Sequence, residues 1–445
     1  MDQARVAAWE VVRSVRVDDG YANLLLPAAI TRHRLSGRDA AFVTELAAGT
    51  IRGQGTYETI LAACIDRPLG KVQSGVLDGL RLGAHQLLGM RVPAHAAIST
   101  TVDLVRSKNG PGAAGFANAV LRKVSAHDLA GWVERLAPGQ EADRTGYLSI
   151  AHSHPRWVVE QLAQALGARA EELPDLLAAD NVPPRVTLVA RPGRVRREDL
   201  PGTPTAFSPF GTVLDGGGDP GAIEAVARGD AGVQDEGSQL VALALATAVV
   251  EGRDERWVDL CAGPGGKASM LAAFAAERGA QLVGVEQHHH RAGLVRRAVG
   301  VDPGVLVVQA DGRQAPLADG SVDRVLLDAP CTGLGALRRR PEARWRRTRS
   351  DLEDLVVLQR ALLAEAVRVL RPGGVLVYAT CSPVLAETAE VVSAALADLG
   401  ALRLDDVCPL LPGVTDAQGP LPGTAQLWPH RHSTDAMFLA LLRRT

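Results

Sequence analysis

Short apolar runs alternate with longer amphipathic stretches from residue 256 to the end of the chain, and this pattern constrains the fold more than any other feature. The runs are RWVDL, QLVGVE, GVLVVQAD, DRVLLDAP and GVLVYAT, and most of the segments between them carry apolar residues every three or four positions. Strands that alternate with helices in this way are typical of a parallel sheet covered on both faces. Because ligands of such sheets bind beyond the carboxyl ends of the strands, the residues after each run are candidates for a functional site.

The rest of the chain predicts two further domains, since 445 residues are too many for one ordinary core. Residues 1–138 have helical periodicity throughout and predict an all-helical domain. Residues 145–232 are mixed, with a strand-like PRVTLVA, and predict a small α/β subdomain that resembles an RNA-recognition fold. Residues 233–445 are then predicted to form the Rossmann-like α/β domain, with a mostly parallel, seven-stranded sheet.

Composition predicts a cytoplasmic protein without a membrane span. The net charge is −2, hydrophobic residues make up 47% of the chain, and the longest nearly apolar run, LVALALATAVV, is too short to cross a bilayer. Five scattered cysteines without a Cys-x-x-Cys pair predict free thiols and no zinc site. The run His288–His290 does not predict a metal site either, because consecutive helical residues point in different directions.

A glycine-rich loop after RWVDL predicts a cofactor site. The loop opens a helix and comprises Cys261, Ala262, Gly263, Pro264, Gly265, Gly266 and Lys267. A phosphate-binding P-loop requires glycine in place of Cys261 and a hydroxyl residue in place of Ala268, so that template fails. A dinucleotide fingerprint fits, with Glu286 at the next strand end for ribose hydroxyls. This loop alone therefore leaves an NAD enzyme open.

Three acids at strand ends favour S-adenosylmethionine as the cofactor. Asp259 precedes the loop and can bind the methionine ammonium, Glu286 the ribose, and Asp311 the edge of the adenine. Such a set suits a ligand with an ammonium and a diol but no pyrophosphate. The alternative is that these acids only cap helices.

Two cysteines also follow apolar runs, and their placement predicts covalent chemistry. Cys331 lies in Asp328-Ala-Pro-Cys331, and Cys381 lies in YATCSP. The C5 carbon of cytosine becomes a nucleophile only after a thiolate adds to C6, so one cysteine has to attack while an acid acts near N3 of the ring. A nearby cation such as Lys267 would have to favour the thiolate. Cys64 and Cys408 are predicted to be packing residues.

An arginine-rich stretch follows Cys331 and predicts contact with RNA. Guanidinium groups pair with phosphates and an indole can stack on a base, although a solvated loop is the alternative. The predicted RNA-binding residues are Arg338, Arg339, Arg340, Arg344, Trp345, Arg346 and Arg347.

The motifs DLCAGPGGK, DAPCTG and YATCSP together resemble those of bacterial RNA cytosine-C5 methyltransferases of the Sun/Fmu (RsmB) type. The N-terminal part is similar to the NusB-like RNA-binding domain of that family through RDAAFVTELAAGTIRG, VPAHAAISTTVDLV and GFANAVLRKV. The resemblance spans nearly the whole chain. It implies methyl transfer from S-adenosylmethionine to C5 of a cytosine in 16S rRNA, either free or in a partly assembled small subunit.

The resemblance also implies roles for the site residues. Cys381 would be the nucleophile, Cys331 would assist release of the methylated base, and Asp328 would contact the cytosine and border the cofactor. A monomer without metal is expected. Three alternatives stay open: a transfer-RNA substrate, an NAD-dependent oxidoreductase, and a non-catalytic RNA-binding assembly factor.

Overall fold

The computed structural model describes residues 2–216 and 218–445, and most of this chain is helical or β-stranded. Its α-helices, in chain order, are α1 Gln3–Val17, α2 Ala22–Arg32, α3 Gly37–Arg52, α4 Gln54–Cys64, α5 Ser74–Leu88, α6 Ala94–Asn109, α7 Pro111–Val124, α8 Leu129–Leu136, α9 Arg144–Ala151, α10 Arg156–Leu166, α11 Leu173–Ala179, α12 Glu224–Arg228, α13 Glu236–Thr247, α14 Gly266–Glu277, α15 His289–Val299, α16 Ala343–Arg346, α17 Arg349–Val369, α18 Ala389–Asp398 and α19 Pro429–His432.

The strands contribute to two separate sheets. They are β1 Thr187–Ala190, β2 Thr203–Pro204, β3 Gly211–Val213, β4 Ala231–Val233, β5 Arg256–Asp259, β6 Gln281–Glu286, β7 Val305–Gln309, β8 Val322–Asp328, β9 Leu370–Thr380, β10 Leu402–Asp405, β11 Ala425–Gln426 and β12 Phe438–Arg444. Short 3₁₀ helices occupy Leu69–Lys71, Gly167–Glu172, Arg197–Asp199, Pro220–Ala222, Gly312–Gln314, Leu385–Glu387 and Cys408–Leu410.

The chain divides into two compact units. The first unit contains the chain up to Val182 together with Leu337–Arg346, and the second contains Pro183–Ala336 and Arg347–Thr445. The boundary at Val182 falls inside 145–232, the region that the sequence predicts as one subdomain. Helices α9–α11 of that region belong to the first unit, whereas β1–β4 belong to the second. The division into three domains therefore stays a prediction.

The first unit is a helical bundle with two apolar clusters. One cluster surrounds Trp9 and Leu46 on α1 and α3, and the other surrounds Leu61, Leu80 and Leu121 on α4, α5 and α7. Both follow from the three- and four-residue spacing of apolar residues, which gives each helix one face that can be buried. The predicted all-helical N-terminal domain is confirmed.

The main sheet of the second unit has the strand order β10-β12-β9-β8-β5-β6-β7, and the short β11 pairs with β12. Strands β5 to β9 pair in parallel, whereas β12 joins β9 and β10 in antiparallel register. Buried side chains lie on both faces of the sheet. The predicted Rossmann-like domain with a mostly parallel sheet is confirmed.

The smaller sheet of the second unit has the order β2-β3-β1-β4 and is antiparallel throughout. Gln239 on α13 donates to the carbonyl of Leu188 on β1, so the small sheet packs against the helix that precedes β5.

Among residues 2–216 and 218–445, no helix is long and apolar enough to cross a membrane.

Candidate active site

Four parallel strands deliver the candidate residues to one edge of the main sheet. Asp259, Glu286 and Asp328 are the last residues of β5, β6 and β8, and Cys381 follows the last residue of β9. Because these strands are parallel, their carboxyl ends meet at the same edge. The sheet thus brings together residues that are more than 120 positions apart in the sequence.

The glycine-rich loop between β5 and α14 approaches its neighbours too closely for side chains. Gly265 has a φ of 115°, and a Cβ on it would lie 2.5 Å from the Cβ of Ala298. A Cβ on Gly263 would lie 2.1 Å from a carboxylate oxygen of Glu286. Glycine at these positions lets the loop backbone lie against α15 and Glu286, where any side chain would clash.

The two buried acids beside this loop differ in their partners. Asp259 accepts a hydrogen bond from the backbone N–H of Cys261 at 3.3 Å. Burial and the neighbouring Asp328 carboxylate raise the pKa of Asp259 to about 7. Glu286 accepts from the backbone N–H of His288 at 2.9 Å, and its carboxylate lies 3.5 Å from the guanidinium of Arg291. A bound cation, such as an ammonium group, would therefore favour the charged form of Asp259.

Asp311 lies two residues beyond β7 and is less buried than the other acids. It caps the 3₁₀ helix Gly312–Gln314 by accepting from the backbone N–H of Arg313 at 2.9 Å. The Arg313 side chain also hydrogen-bonds to it and lowers the pKa of the Asp311 carboxyl. Its predicted contact with adenine stays a prediction, because a capping role explains these bonds equally well.

Lys267 and Asp328 form an ion pair beside the loop. The Nζ of Lys267 donates to Oδ2 of Asp328 at 2.7 Å. Burial lowers the pKa of Lys267, but the attraction of the Asp328 carboxylate outweighs burial, and the pKa lies above its ordinary value. The charge of Lys267 also interacts with Cys381, so a fixed ammonium group stands near that sulfur.

The two cysteines lie side by side. Their sulfur atoms are 3.4 Å apart, and both residues are only partly buried. The hydrogen bond to Cys381 and burial raise the pKa of the Cys331 thiol well above its ordinary value. The sequence predicts both residues at strand ends, and the structure adds that their sulfurs are in contact.

The other cysteines have environments that suit packing. Cys64 is buried, and burial raises the pKa of its thiol and of the Cys408 thiol. Burial also raises the pKa of the Cys261 thiol well above its ordinary value, so this loop residue is a neutral thiol near neutral pH.

Three polar residues at the site escape the sequence analysis. Glu387 and Gln359 are buried next to the cysteine loops. Gln234, whose buried amide lacks a hydrogen-bond partner in the described structure, lies about 3.7 Å from the place a Cβ on Gly266 would occupy. A polar residue just before α13 or inside an amphipathic helix gives no signal of its own, although Glu387 lies only six residues after Cys381.

The arginine-rich stretch is only partly where the sequence predicts it. Arg344 is fully buried in the first unit and donates to the carbonyl of Ser153 and the side chain of Asn181. The indole N–H of Trp345 donates to the carbonyl of Ile51 at 2.7 Å. These bonds give Arg344 and Trp345 a structural role inside the first unit, and their predicted contact with RNA stays a prediction.

The remaining arginines of the stretch have varied surroundings. Arg338 is buried, whereas Arg339, Arg340, Arg346 and Arg347 are partly buried. The guanidinium groups of Arg340 and Arg346 lie 5.5 Å and 5.2 Å from the ring centroid of Tyr21. Their role in RNA binding stays a prediction.

The run His288–His290 is exposed at the start of α15. The rings of His288 and His290 are 6.0 Å apart, and Nδ1 of His289 lies 3.1 Å from the side-chain oxygen of Gln309. Within residues 2–216 and 218–445, no group of three or more His, Cys, Asp or Glu side chains could hold a metal ion.

Comparison with known proteins matches both parts of the chain. Residues 246–443 match the 16S rRNA methyltransferase RsmB/F family, and residues 2–126 match the NusB family. A putative methyltransferase of Mycobacterium tuberculosis is 48% identical over 448 residues, which cover 100% of this chain and 97% of that protein. The ribosomal RNA small subunit methyltransferase B of Pseudomonas putida is 33% identical and covers 90% of this chain and 91% of its own length.

A solved structure has the same fold. The crystal structure of PH0851 superimposes with a TM-score of 0.83 at 23% identity, covering 100% of this chain and 99% of its own.

The parallel sheet, the glycine loop and the strand-end acids thus define an S-adenosylmethionine-dependent RNA methyltransferase. The chain belongs to the RsmB/F family of 16S rRNA methyltransferases, with a NusB-type N-terminal part. The predicted family, fold, enzyme class and cofactor are confirmed, and an NAD-dependent oxidoreductase is excluded. The residues around the glycine loop fit the cofactor, because Asp259 and Glu286 supply acceptors and Gln234 an unpaired amide.

Proposed function

We propose that the enzyme methylates C5 of a cytosine in 16S rRNA through a covalent adduct with Cys381. The observation that carries this proposal is the contact between two thiols, 3.4 Å apart, at strand ends beside the cofactor loop. Methylation of an exocyclic amine requires no thiol, whereas C5 methylation requires one sulfur to attack and benefits from a second group that promotes its release.

The electrostatic environment supports different roles for the two sulfurs. Lys267 carries a positive charge that interacts with Cys381 and favours its thiolate. The hydrogen bond from Cys331 to Cys381, together with partial burial, favours the neutral thiol of Cys331. We therefore assign attack to Cys381 and assistance in release to Cys331.

The proposed reaction has three steps: attack on C6, methyl transfer to C5 and release of the base. The Cys381 thiolate adds to C6 of the cytosine, which consumes the C5–C6 π bond and leaves a C4=C5 enamine whose C5 is nucleophilic. We assign to Asp328, in its protonated form, a hydrogen bond to the ring near N3 that stabilises the charge developing there. S-adenosylmethionine, when bound, supplies an electrophilic methyl group. After C5 has gained the methyl group, a water molecule accepts the C5 proton, with Cys331 assisting, while the bond between C6 and the Cys381 sulfur breaks. This elimination restores the aromatic ring and the free Cys381 thiolate.

The proposal also specifies 16S rRNA as the substrate. Relatives that cover at least nine-tenths of this chain carry the name ribosomal RNA small subunit methyltransferase B, which supports 16S rRNA. The target base has to leave its stack, at a cost of a few kcal/mol, so a loop or a partly assembled small subunit is the expected substrate. A transfer RNA is the second candidate.

A denaturing gel of three proteins tests the mechanism. The native enzyme, Cys331→Ser and Cys381→Ser are each incubated with S-adenosylmethionine and undermethylated 16S rRNA. We expect a covalent protein–RNA band that accumulates in Cys331→Ser and is absent in Cys381→Ser, because the first variant attacks without efficient release and the second cannot attack.

Controls separate the alternatives. Cys408→Ser should behave like the native enzyme, and unmodified transfer RNA in place of rRNA tests the second candidate. Accumulation in Cys381→Ser would exchange the roles of the two sulfurs. Methyl transfer to an exocyclic nitrogen, identified by nucleoside mass spectrometry, would refute C5 chemistry.

A further inference from the structure

A buried carboxylate lies directly behind the two cysteines and contacts the loops that carry them. Glu387 is fully buried at the end of the 3₁₀ helix Leu385–Glu387. It accepts from the backbone N–H of Thr332 at 2.7 Å and from the hydroxyl of Thr332 at 2.5 Å. Thr332 is the residue after Cys331, so both carboxylate oxygens hold the Cys331 loop.

The same carboxylate also contacts the loop of Cys381. Ser382, which follows Cys381, hydrogen-bonds to Glu387, and its hydroxyl lies 3.1 Å from that of Thr332. Thr332 and Ser382 are themselves fully or almost fully buried. Two residues that each neighbour a cysteine are thus joined through one acid.

A third element completes this network. Gln359 on α17 donates through Nε2 to Glu387 at 3.1 Å and to the carbonyl of Pro330 at 2.8 Å. The hydroxyl of Tyr378 on β9 donates to the backbone carbonyl of Glu387 at 2.7 Å. Burial raises the pKa of Glu387, opposed by the bonds from Ser382 and Thr332. Burying a carboxyl group costs desolvation free energy, so we expect Glu387 to have a specific role at this position.

We propose that Glu387 is a positioning residue that holds the sulfurs of Cys331 and Cys381 in contact through Thr332 and Ser382. This inference rests on the proposed function for its catalytic meaning, but the geometry it concerns exists without RNA or cofactor. Glu387 does not touch the reacting atoms, and it acts on attack and release by fixing the two loops.

Disulfide closure measures the distance between the two sulfurs without any substrate. Diamide, an azo oxidant, accepts two electrons and two protons from the Cys331 and Cys381 thiols, which form one S–S bond. Peptide mapping identifies that bond, and Cys331→Ser provides the baseline. Glu387→Ala should close the disulfide at least about tenfold more slowly than the native protein, because the loops lose their common anchor.

Three further variants separate positioning from general stability. Glu387→Gln retains a polar group of the same shape and should restore most of the closure rate. Thr332→Val removes one arm of the network and should slow closure even if Glu387→Ala does not fold. Glu365→Ala is the matched control, since Glu365 is another buried carboxylate, bonded to Ala315 and Arg368 away from the cysteines.

Methyl transfer supplies the second readout. In Glu387→Ala and Thr332→Val, kcat should fall, on the order of 10²-fold for a displacement of about 1 Å, with KM for RNA unchanged. Native closure rates in both folded variants would overturn the proposal, as would an equal loss in Glu365→Ala. If closure depends on Glu387 but the native protein transfers no methyl group to cytosine, the positioning role stands and the proposed function fails.

Discussion

At the scale of single residues, the site depends on charges that are buried next to one another. Asp259 and Asp328 end two strands, Lys267 lies in the first turn of α14, and the Asp328 carboxylate helps to raise the pKa of both Asp259 and Lys267. The sequence predicts these residues, because Asp259 and Asp328 end apolar runs and Lys267 ends the glycine-rich loop. It does not predict that Lys267 pairs with Asp328, since that contact joins positions 61 residues apart.

The raised pKa of Asp259 predicts a pH-dependent stability of the cofactor-free protein. An unfolded aspartate has a pKa of about 3.9, whereas folding raises the pKa of Asp259 to about 7. Between these values the unfolded chain releases its proton and the folded chain keeps it. Stability therefore falls as the pH rises through this window, by at most about 4 kcal/mol.

Asp259→Asn should remove this fall and weaken cofactor binding. Melting temperatures from about pH 4 to about pH 8 measure the first effect, and calorimetric titration with S-adenosylhomocysteine measures the second. Asp354→Asn, at an exposed position of α17, is the control. An Asp259→Asn protein with the native pH profile would contradict the prediction.

Lys267→Met should slow adduct formation and make it depend on pH. Without the ammonium group the Cys381 thiolate loses its neighbouring cation, so the rate at neutral pH should fall on the order of 10²-fold. The deficit should shrink as the pH rises, because hydroxide then generates the thiolate. The adduct rate is measured in a Cys331→Ser background, with Lys71→Met as control. A deficit that is constant with pH would indicate a purely structural role.

At the scale of elements, the turn after Cys331 fits closely against the backbone. The N–H of Gly335 donates to the carbonyl of Cys381 at 2.9 Å, and its carbonyl accepts from the N–H of Ala436. A Cβ on Gly335 would lie 2.2 Å from the carbonyl oxygen of Ala436 and 2.9 Å from that of Cys381. These are backbone atoms, which cannot move aside as a flexible side chain can.

Gly335→Ala should therefore displace the Cys381 backbone and reduce kcat, on the order of 10²-fold, while cofactor affinity changes little. Gly293→Ala, on α15, is the matched control, because a Cβ there meets nothing within 4 Å. That change should be neutral or stabilise by up to about 1 kcal/mol. A native kcat in a folded Gly335→Ala protein would refute the expected displacement.

The parallel strands were predictable from sequence, and the antiparallel edge was not. Long amphipathic helices separate most of the apolar runs from β5 to β9, and such helices identify parallel crossovers. The run at β12, FLALLRR, has no such context, so its direction and its place between β9 and β10 are set by tertiary pairing. Strands β2 and β3 have two and three residues and are too short to give a periodic signal.

At the scale of the whole molecule, the first unit is built from two separate parts of the chain. The segment Leu337–Arg346 contributes Arg344 and Trp345 to this unit. A Cβ on Gly55 would lie 2.4 Å from the ring of Trp345, which shows how closely the indole fits against α4. An arginine-rich run looks the same in sequence whether it is solvated or buried, so only the fold reveals that part of it is structural.

Trp345→Ala should consequently destabilise the first unit, by about 2 kcal/mol, because it removes buried apolar area and the bond to Ile51. Calorimetric melting of the full chain measures this loss. Arg349→Ala, at an exposed position, should leave the melting temperature unchanged. An unchanged melting temperature in Trp345→Ala, with weakened RNA binding, would contradict this expected loss and support the prediction that Trp345 stacks on RNA.

The path of the chain between its units restricts how this enzyme can be divided or recombined. The polypeptide passes from one unit to the other after Val182, after Ala336 and after Arg346. An end-to-end fusion of two independent genes would leave a single junction. Replacing the first unit with that of a relative would therefore require two exchanges, one up to Val182 and one over the ten residues Leu337–Arg346, which lie between the two cysteines in the sequence.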